Sequence, residues 1–238
     1  MDSRTASAIM GNAQYTRGQR MRDGYSRRSI LKAMAAAGMA GCLPAAVYAQ
    51  EAAGSVIRRS IPGTGEMLPV VGFGSTAAVR QIIQDGPGLL TQLLDTMIGM
   101  GASVIDTAPR ELEVDEAFGK VLMDPRFRDE LFISTKIGLR RYLPESRIDK
   151  RGGIEQFEQT SRLFGRRPAD LVQVESMTDL DLHWPTLREL KARGETRYIG
   201  ITSSATADHD RMAAFMNSDR PDFIQVNYSL VEPEAGDR

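Results

Sequence analysis

The 238-residue sequence contains a single cysteine and only two histidines. Because Cys42 has no second cysteine to pair with, a disulfide framework within the chain and a thiolate metal cluster are both excluded. With His183 and His209 as the only imidazoles, a histidine-rich metal site is excluded as well. We therefore predict no metal site.

The fraction of aromatic residues and the net charge are also low. Phe, Trp and Tyr make up 6% of the chain and are scattered, which gives no stacking surface for nucleic acid. Lys and Arg total 30 against 31 Asp and Glu, and many of the basic residues lie near the amino terminus, so the remainder is acidic. An acidic remainder argues against a polyanion partner. What is present, 42% hydrophobic and 26% charged residues, is typical of a globular protein.

The first 49 residues are predicted to be an export signal. The segment Ser26–Lys32, with Arg27 and Arg28, resembles the bacterial twin-arginine export signal. The apolar stretch after it is too short and too weakly hydrophobic for a stable anchor, and small residues before Gln50 offer a cleavage site. We expect a signal peptide at 1–49, a mature domain at 50–238 in the periplasm or otherwise exported, and the twin-arginine export machinery as a partner, with membrane contact only during export.

Two other interpretations of this region stay open. Residues 39–42 are similar to a loose lipoprotein signal, in which case a lipid on Cys42 would hold the protein at the membrane. A basic, alanine-rich amino-terminal helix would have the same composition.

From residue 50 onward, apolar β-like runs alternate with segments of helical spacing. Leu90, Leu94 and Ile98 belong to one amphipathic pattern, and a similar spacing recurs at 114–122. The predicted strands lie at 68–73, 103–105, 131–135, 171–174, 198–201 and 223–226. Strands separated by single helices imply parallel pairing, and uninterrupted apolar strands imply a sheet covered on both faces. The fold class is therefore predicted to be α/β with a parallel sheet.

Polar residues stand at the carboxyl ends of five of these strands: Asp106, Lys136, Glu175, Ser203 and Asn227. In a parallel α/β sheet these ends lie on one rim, which in a (β/α)8 barrel is the active-site face. Each residue taken alone could be a strand cap or a structural ion pair. The set of five favours a shared site.

Several segments then carry a family resemblance, which runs in consistent order from about residue 55 to 232. They read VIDTAP at 104–109, FISTK at 132–136, RYIGIT at 197–202 and FIQVNY at 223–228. In these segments the chain resembles the aldo-keto reductases, a family of NADP-dependent (β/α)8 barrels that reduce carbonyls by hydride transfer. The resemblance implies a TIM-barrel type fold, NADP(H) as cofactor and a small-molecule carbonyl substrate.

The resemblance also implies which residues are catalytic. Asp106 and Lys136 match the family's catalytic Asp and Lys, whereas Glu111 stands in the place of its Tyr and Glu175 in the place of its His. A Glu at the latter position is similar to a branch that reduces activated carbon–carbon double bonds. Because several carboxylates near one lysine repel each other, we hypothesise that Glu111 or Glu175 stays protonated near neutral pH and replaces Tyr as proton donor. Tyr142 is an alternative acid.

Cofactor positions are implied only in part. Thr202, Ser203 and Gln225 would bind the nicotinamide carboxamide, whereas the residues that hold the 2′-phosphate follow the family's seventh and eighth strands. Only six strands are predicted, so we expect a barrel truncated after the sixth strand and weak NADP(H) binding. The alternative function is an exported, catalytically degenerate barrel that acts as a binding protein, since Glu111 and Glu175 replace the family Tyr and His.

Overall fold

The computed structural model describes residues 56–143, 148–177 and 179–237. The predicted signal peptide at 1–49, with its arginine pair and Cys42, lies outside the described residues. Within these ranges, no helix is long and apolar enough to cross a membrane.

Six parallel strands in consecutive order form the central sheet. They are β3 (Gly72–Gly74), β4 (Val104–Asp106), β5 (Phe132–Ile137), β6 (Ala169–Glu175), β7 (Thr196–Ser203) and β8 (Phe223–Val226). An antiparallel hairpin of β1 (Arg58–Ser60) and β2 (Met67–Pro69) precedes them. The sheet curls into a half-barrel, which confirms the predicted α/β fold of TIM-barrel type and its six parallel strands.

Helices connect the strands and cover the outer face of the sheet. They are α1 (Thr76–Asp85), α2 (Pro87–Gly99), α3 (Leu112–Leu122), α4 (Pro125–Arg128), α5 (Lys150–Leu163), α6 (Leu180–Ala192) and α7 (His209–Asp219). Helix α1 was not predicted, and Gly86, with a φ of 126°, separates it from α2. Pro185 lies inside helix α6 rather than in its first turn. A proline there removes one backbone hydrogen bond without ending the helix.

The main core lies between the sheet and these helices. Alternate residues of a strand point to opposite faces, so one set from each strand is buried against the helices. Members of this set include Ile105, Ile133, Val172, Val174 and Ile201. The other set faces the concave interior of the half-barrel.

The hairpin closes the amino-terminal end of this interior. Ile61 and Leu68 pack against Phe132, Leu171 and Tyr198. Polar contacts also hold the hairpin at this end. The Tyr198 hydroxyl donates to Glu66 Oε2 at 2.6 Å, and Arg197 forms an ion pair with the same carboxylate. The hairpin does not cover the opposite end of the interior, which is formed by the carboxyl ends of the strands and can hold a polar site.

Candidate active site

A cavity of about 430 Å³ lies at the carboxyl ends of β4 to β8. This volume is in the range of small-molecule sites. Six of the eight residues predicted for the site line it: Asp106, Lys136, Glu175, Thr202, Ser203 and Gln225. Asn227, at the end of the last strand, does not; its amide instead hydrogen-bonds His209 and Thr206. The register explains the convergence, because Thr202 pairs with Glu175 on one side and with Gln225 on the other.

Lys136 and Asp106 form the centre of a hydrogen-bonded network. Lys136 Nζ donates to Asp106 Oδ1 at 2.7 Å and to the Thr107 carbonyl at 2.9 Å, with 7% of the lysine side chain exposed. Gln225 Nε2 donates to the other carboxylate oxygen of Asp106 at 2.9 Å. An ammonium has three protons, so the third can be donated to a ligand in the cavity.

Glu175 lies at the end of β6 and lines the same cavity. The residue is half-buried, and its carboxyl group forms no ion pair or hydrogen bond with other described residues. A carboxyl in this setting is open to a ligand.

Glu111 does not line the cavity. Its carboxylate pairs with Arg80 of α1 at 2.8 Å, and 55% of the side chain is exposed. The Arg80 guanidinium holds the pKa of the Glu111 carboxyl below its usual value. Of the two glutamates considered as the protonated acid, this ion pair disfavours Glu111 and leaves Glu175 as the candidate. Sequence reasoning missed this pair because it did not identify α1, the helix that carries Arg80.

Tyr142, the alternative acid, lies beside this ion pair. Arg80 Nη2 donates to Tyr142 Oη at 3.4 Å, a long hydrogen bond. Tyr142 ends a 3₁₀ turn, Arg140–Tyr142, and is not among the residues that line the cavity. Its hydroxyl thus shares a guanidinium with Glu111.

The three residues predicted for the nicotinamide differ in what they can still bind. Ser203 Oγ donates to Asp208 at 2.6 Å and accepts from the Ala205 N–H at 3.1 Å, so its proton is already used. Gln225 uses its amide nitrogen for Asp106, which leaves its amide oxygen as an acceptor. Thr202 adds a hydroxyl to the lining.

Sequence reasoning missed two charged residues of the lining, Arg141 and Asp208. Both lie in loops that follow strands, after β5 and β7. These loops surround the carboxyl ends of the strands, where the active site of a (β/α)8 barrel lies, and that position was the available signal that they contribute to the site. The identity of the contributing side chains depends on loop conformation, which no residue pattern gives.

A buried ion pair fixes the loop between Asp106 and α3. Arg110 Nε donates to Asp115 Oδ1 at 3.0 Å, and the Arg110 backbone N–H donates to Oδ2 at 2.9 Å. The guanidinium also donates to Ser75 Oγ at 3.2 Å, before α1. Burial raises the pKa of Asp115 and lowers that of Arg110, and the pairing opposes both shifts. This pair is structural, since neither residue lines the cavity.

No cluster of His, Cys, Asp and Glu in the described ranges is arranged to hold a metal ion.

Comparison with solved structures supports the fold. The chain is similar to a protein assigned as an aldo-keto reductase from Pseudomonas aeruginosa, with a TM-score of 0.62, 23% identity and coverage of 77% of this chain and 72% of that one. It is also similar to an aldo-keto reductase from Bacillus halodurans in its holo form, with a TM-score of 0.58, 19% identity and coverage of 73% and 58%. For an aldo/keto reductase from Brucella melitensis the values are 0.52, 21%, 73% and 63%.

These likenesses show a shared fold. No curated protein sequence matches the chain. The model of the aldo/keto reductase family matches residues 87–236, which is more than half of the chain and spans β4 to β8 with the cavity they surround. The chain therefore belongs to the aldo/keto reductase family.

Proposed function

We propose that the protein reduces a small carbonyl compound, or an activated carbon–carbon double bond, with NADP(H). The observation that carries this proposal is the convergence of Asp106, Lys136, Glu175, Thr202 and Gln225 on one cavity. Membership of the aldo/keto reductase family supports an oxidoreductase-like function.

The residues at the cavity fit the carboxamide end of the cofactor. An amide needs both an acceptor and a donor, which the Gln225 oxygen and the Thr202 hydroxyl provide. When bound, the nicotinamide supplies a hydride to the substrate. Because the Ser203 hydroxyl is held by Asp208, one of the three predicted contacts is lost, and we expect NADPH to bind weakly.

The side chains around Lys136 suit the stabilisation of a developing oxyanion. Lys136 directs two protons to Asp106 and Thr107, and in this proposal it donates the third to the substrate oxygen. Such fixed donors stabilise negative charge as it develops in the transition state. Glu175 is assigned as the proton donor, since it lines the cavity while Glu111 is held ionised by Arg80.

A steady-state assay of NADPH oxidation with a panel of aldehydes and quinones tests this proposal. Replacing Glu175 with Gln keeps the size of the side chain and removes its acidic proton, so we expect kcat to fall by about 10²- to 10⁴-fold. Glu111→Gln is the matched control and should change kcat little, because that residue lies outside the cavity lining. Equal activity of Glu175→Gln and wild type would contradict the assignment.

One observation favours the binding-protein alternative. The residue in the place of the family Tyr, Glu111, is occupied by an ion pair with Arg80 and does not line the cavity. On this alternative the polar cavity binds a small molecule without turnover. Calorimetric binding of a carbonyl compound together with no NADPH oxidation would favour it over reduction.

We also propose that the protein is exported to the periplasm by the twin-arginine machinery. The support is the order of the sequence features: Arg27 and Arg28, an apolar stretch, and small residues before Gln50. Replacing both arginines with Lys should leave the protein in the cytoplasm, as measured by cell fractionation. Undiminished export of that variant would count against the proposal.

A further inference from the structure

The charges that line the candidate active site do not all have partners. The lining carries two cations, Lys136 and Arg141, and three carboxylates, Asp106, Glu175 and Asp208. Lys136 and Asp106 offset each other at 2.7 Å. Asp208 accepts from Ser203 and is the N-cap residue of α7, where the helix dipole stabilises negative charge.

Arg141 has no counter-ion among the residues that the structure describes. Within the described ranges its guanidinium forms no ion pair and no hydrogen bond, and the residue is exposed. Its recorded contact is with the Tyr142 ring, whose centroid lies 5.1 Å from Arg141 Cζ. A cation–π contact orients a guanidinium without neutralising its charge.

The backbone before Arg141 is held firmly. The buried side chain of Gln156 accepts from the N–H groups of Gly138 and Leu139 at 2.9 and 3.2 Å, and it donates to the Leu139 carbonyl at 3.0 Å. The neighbouring Arg140 is tied to Asp179, with Nε to Oδ2 at 2.6 Å. One arginine of the pair is therefore anchored to the residue before α6, while the next, Arg141, lines the cavity.

We propose that Arg141 binds a carboxylate on the substrate, so that the protein acts on carbonyl compounds that also carry a carboxylate. This inference rests on the proposed function, in which Glu175 donates a proton to the substrate; Arg141 is the cation of the lining that has no ion pair among the described residues. A guanidinium binds a carboxylate through two parallel hydrogen bonds, which fixes the orientation of the ligand. The carbonyl is reduced to an alcohol by the hydride of NADPH and a proton, while the carboxylate is unchanged.

A matched pair of substrates tests the inference. 4-Carboxybenzaldehyde carries the anion, and 4-formylbenzamide has nearly the same shape without charge. With the full-length chain, we expect kcat/KM to be roughly 10- to 100-fold higher for the acid. Arg141→Gln should remove this preference and leave the amide almost unaffected, whereas Arg141→Lys should keep part of it. Arg151→Gln, which removes an exposed cation outside the lining, is the control and should retain the full preference.

Binding measured without cofactor separates this inference from the proposed function. Calorimetry with 4-carboxybenzaldehyde should show binding to the wild type that weakens at least tenfold in Arg141→Gln. If that result comes with no NADPH oxidation, the carboxylate site stands and the reductase proposal fails. If both aldehydes are reduced equally by wild type and Arg141→Gln, the reductase proposal stands and the carboxylate site is overturned. Failure of the acid to bind the wild type would also overturn it.

Discussion

Replacing Asp115 with Ala is expected to lower the free energy of unfolding by about 3–5 kcal/mol, because it leaves a buried guanidinium without its carboxylate. Both side chains of the Arg110–Asp115 pair are almost fully buried, with 0% and 2% exposed. The carboxylate accepts from the Arg110 side chain and from its backbone N–H, so two buried donors lose their acceptor together. Urea denaturation of the full-length chain, followed by linear extrapolation, measures the change.

A second variant separates loss of pairing from loss of volume. In Arg110→Met with Asp115→Leu, both charges are replaced by apolar groups, and much of the lost stability should return, since buried pairs are often no more stabilising than well-packed apolar residues. Glu189→Ala is the control: it breaks the exposed Lys150–Glu189 pair and should have little effect, because water replaces the contact. A double variant less stable than Asp115→Ala would show that the pair is favourable beyond its packing.

The central sheet could be predicted because its strands are apolar, short and separated by amphipathic helices. Strand β8 matches the predicted run at 223–226, and four of the five polar residues at the strand ends meet at one cavity, whereas Asn227 does not line it. The boundaries of other strands were harder to predict. The run at 68–73 divides between β2 and β3, because Pro69 ends a hairpin strand and Gly72 begins the parallel sheet. The hydrophobic pattern alone does not show at which residue the chain leaves the hairpin and begins to pair in the parallel sheet.

The site was predictable where a residue's position in a strand decides its direction. Asp106, Lys136 and Gln225 lie in strands, and the register of the sheet brings them together. Residues in loops were not predictable in this way. Glu111 lies in the family position of a catalytic Tyr, yet its direction is set by Arg80, a partner 31 residues away. The contribution of Arg141 likewise depends on how Gln156 holds the preceding loop.

Replacing Lys136 with Met is expected to reduce kcat by at least about 10²-fold, with a smaller effect on KM. The ammonium is the group that links Asp106 and the Thr107 carbonyl, and in the proposed reaction its third proton stabilises the substrate oxygen. Methionine has a similar length but no charge and no proton to donate. Since this contribution develops in the transition state, it should appear in kcat, as measured by NADPH oxidation at saturating aldehyde.

The fold should survive this change. Asp106 is 30% exposed and keeps its hydrogen bond from Gln225, so water can solvate the carboxylate that loses its lysine. Urea denaturation checks that the variant is folded, and Lys150→Met, which removes an exposed lysine paired with Glu189, should retain full activity. If Lys136→Met were folded and as active as wild type, the Lys136–Asp106 pair would have a structural role only. The polar cavity would then be better explained by ligand binding than by reduction, because no other cation of the lining is held so firmly among the described residues.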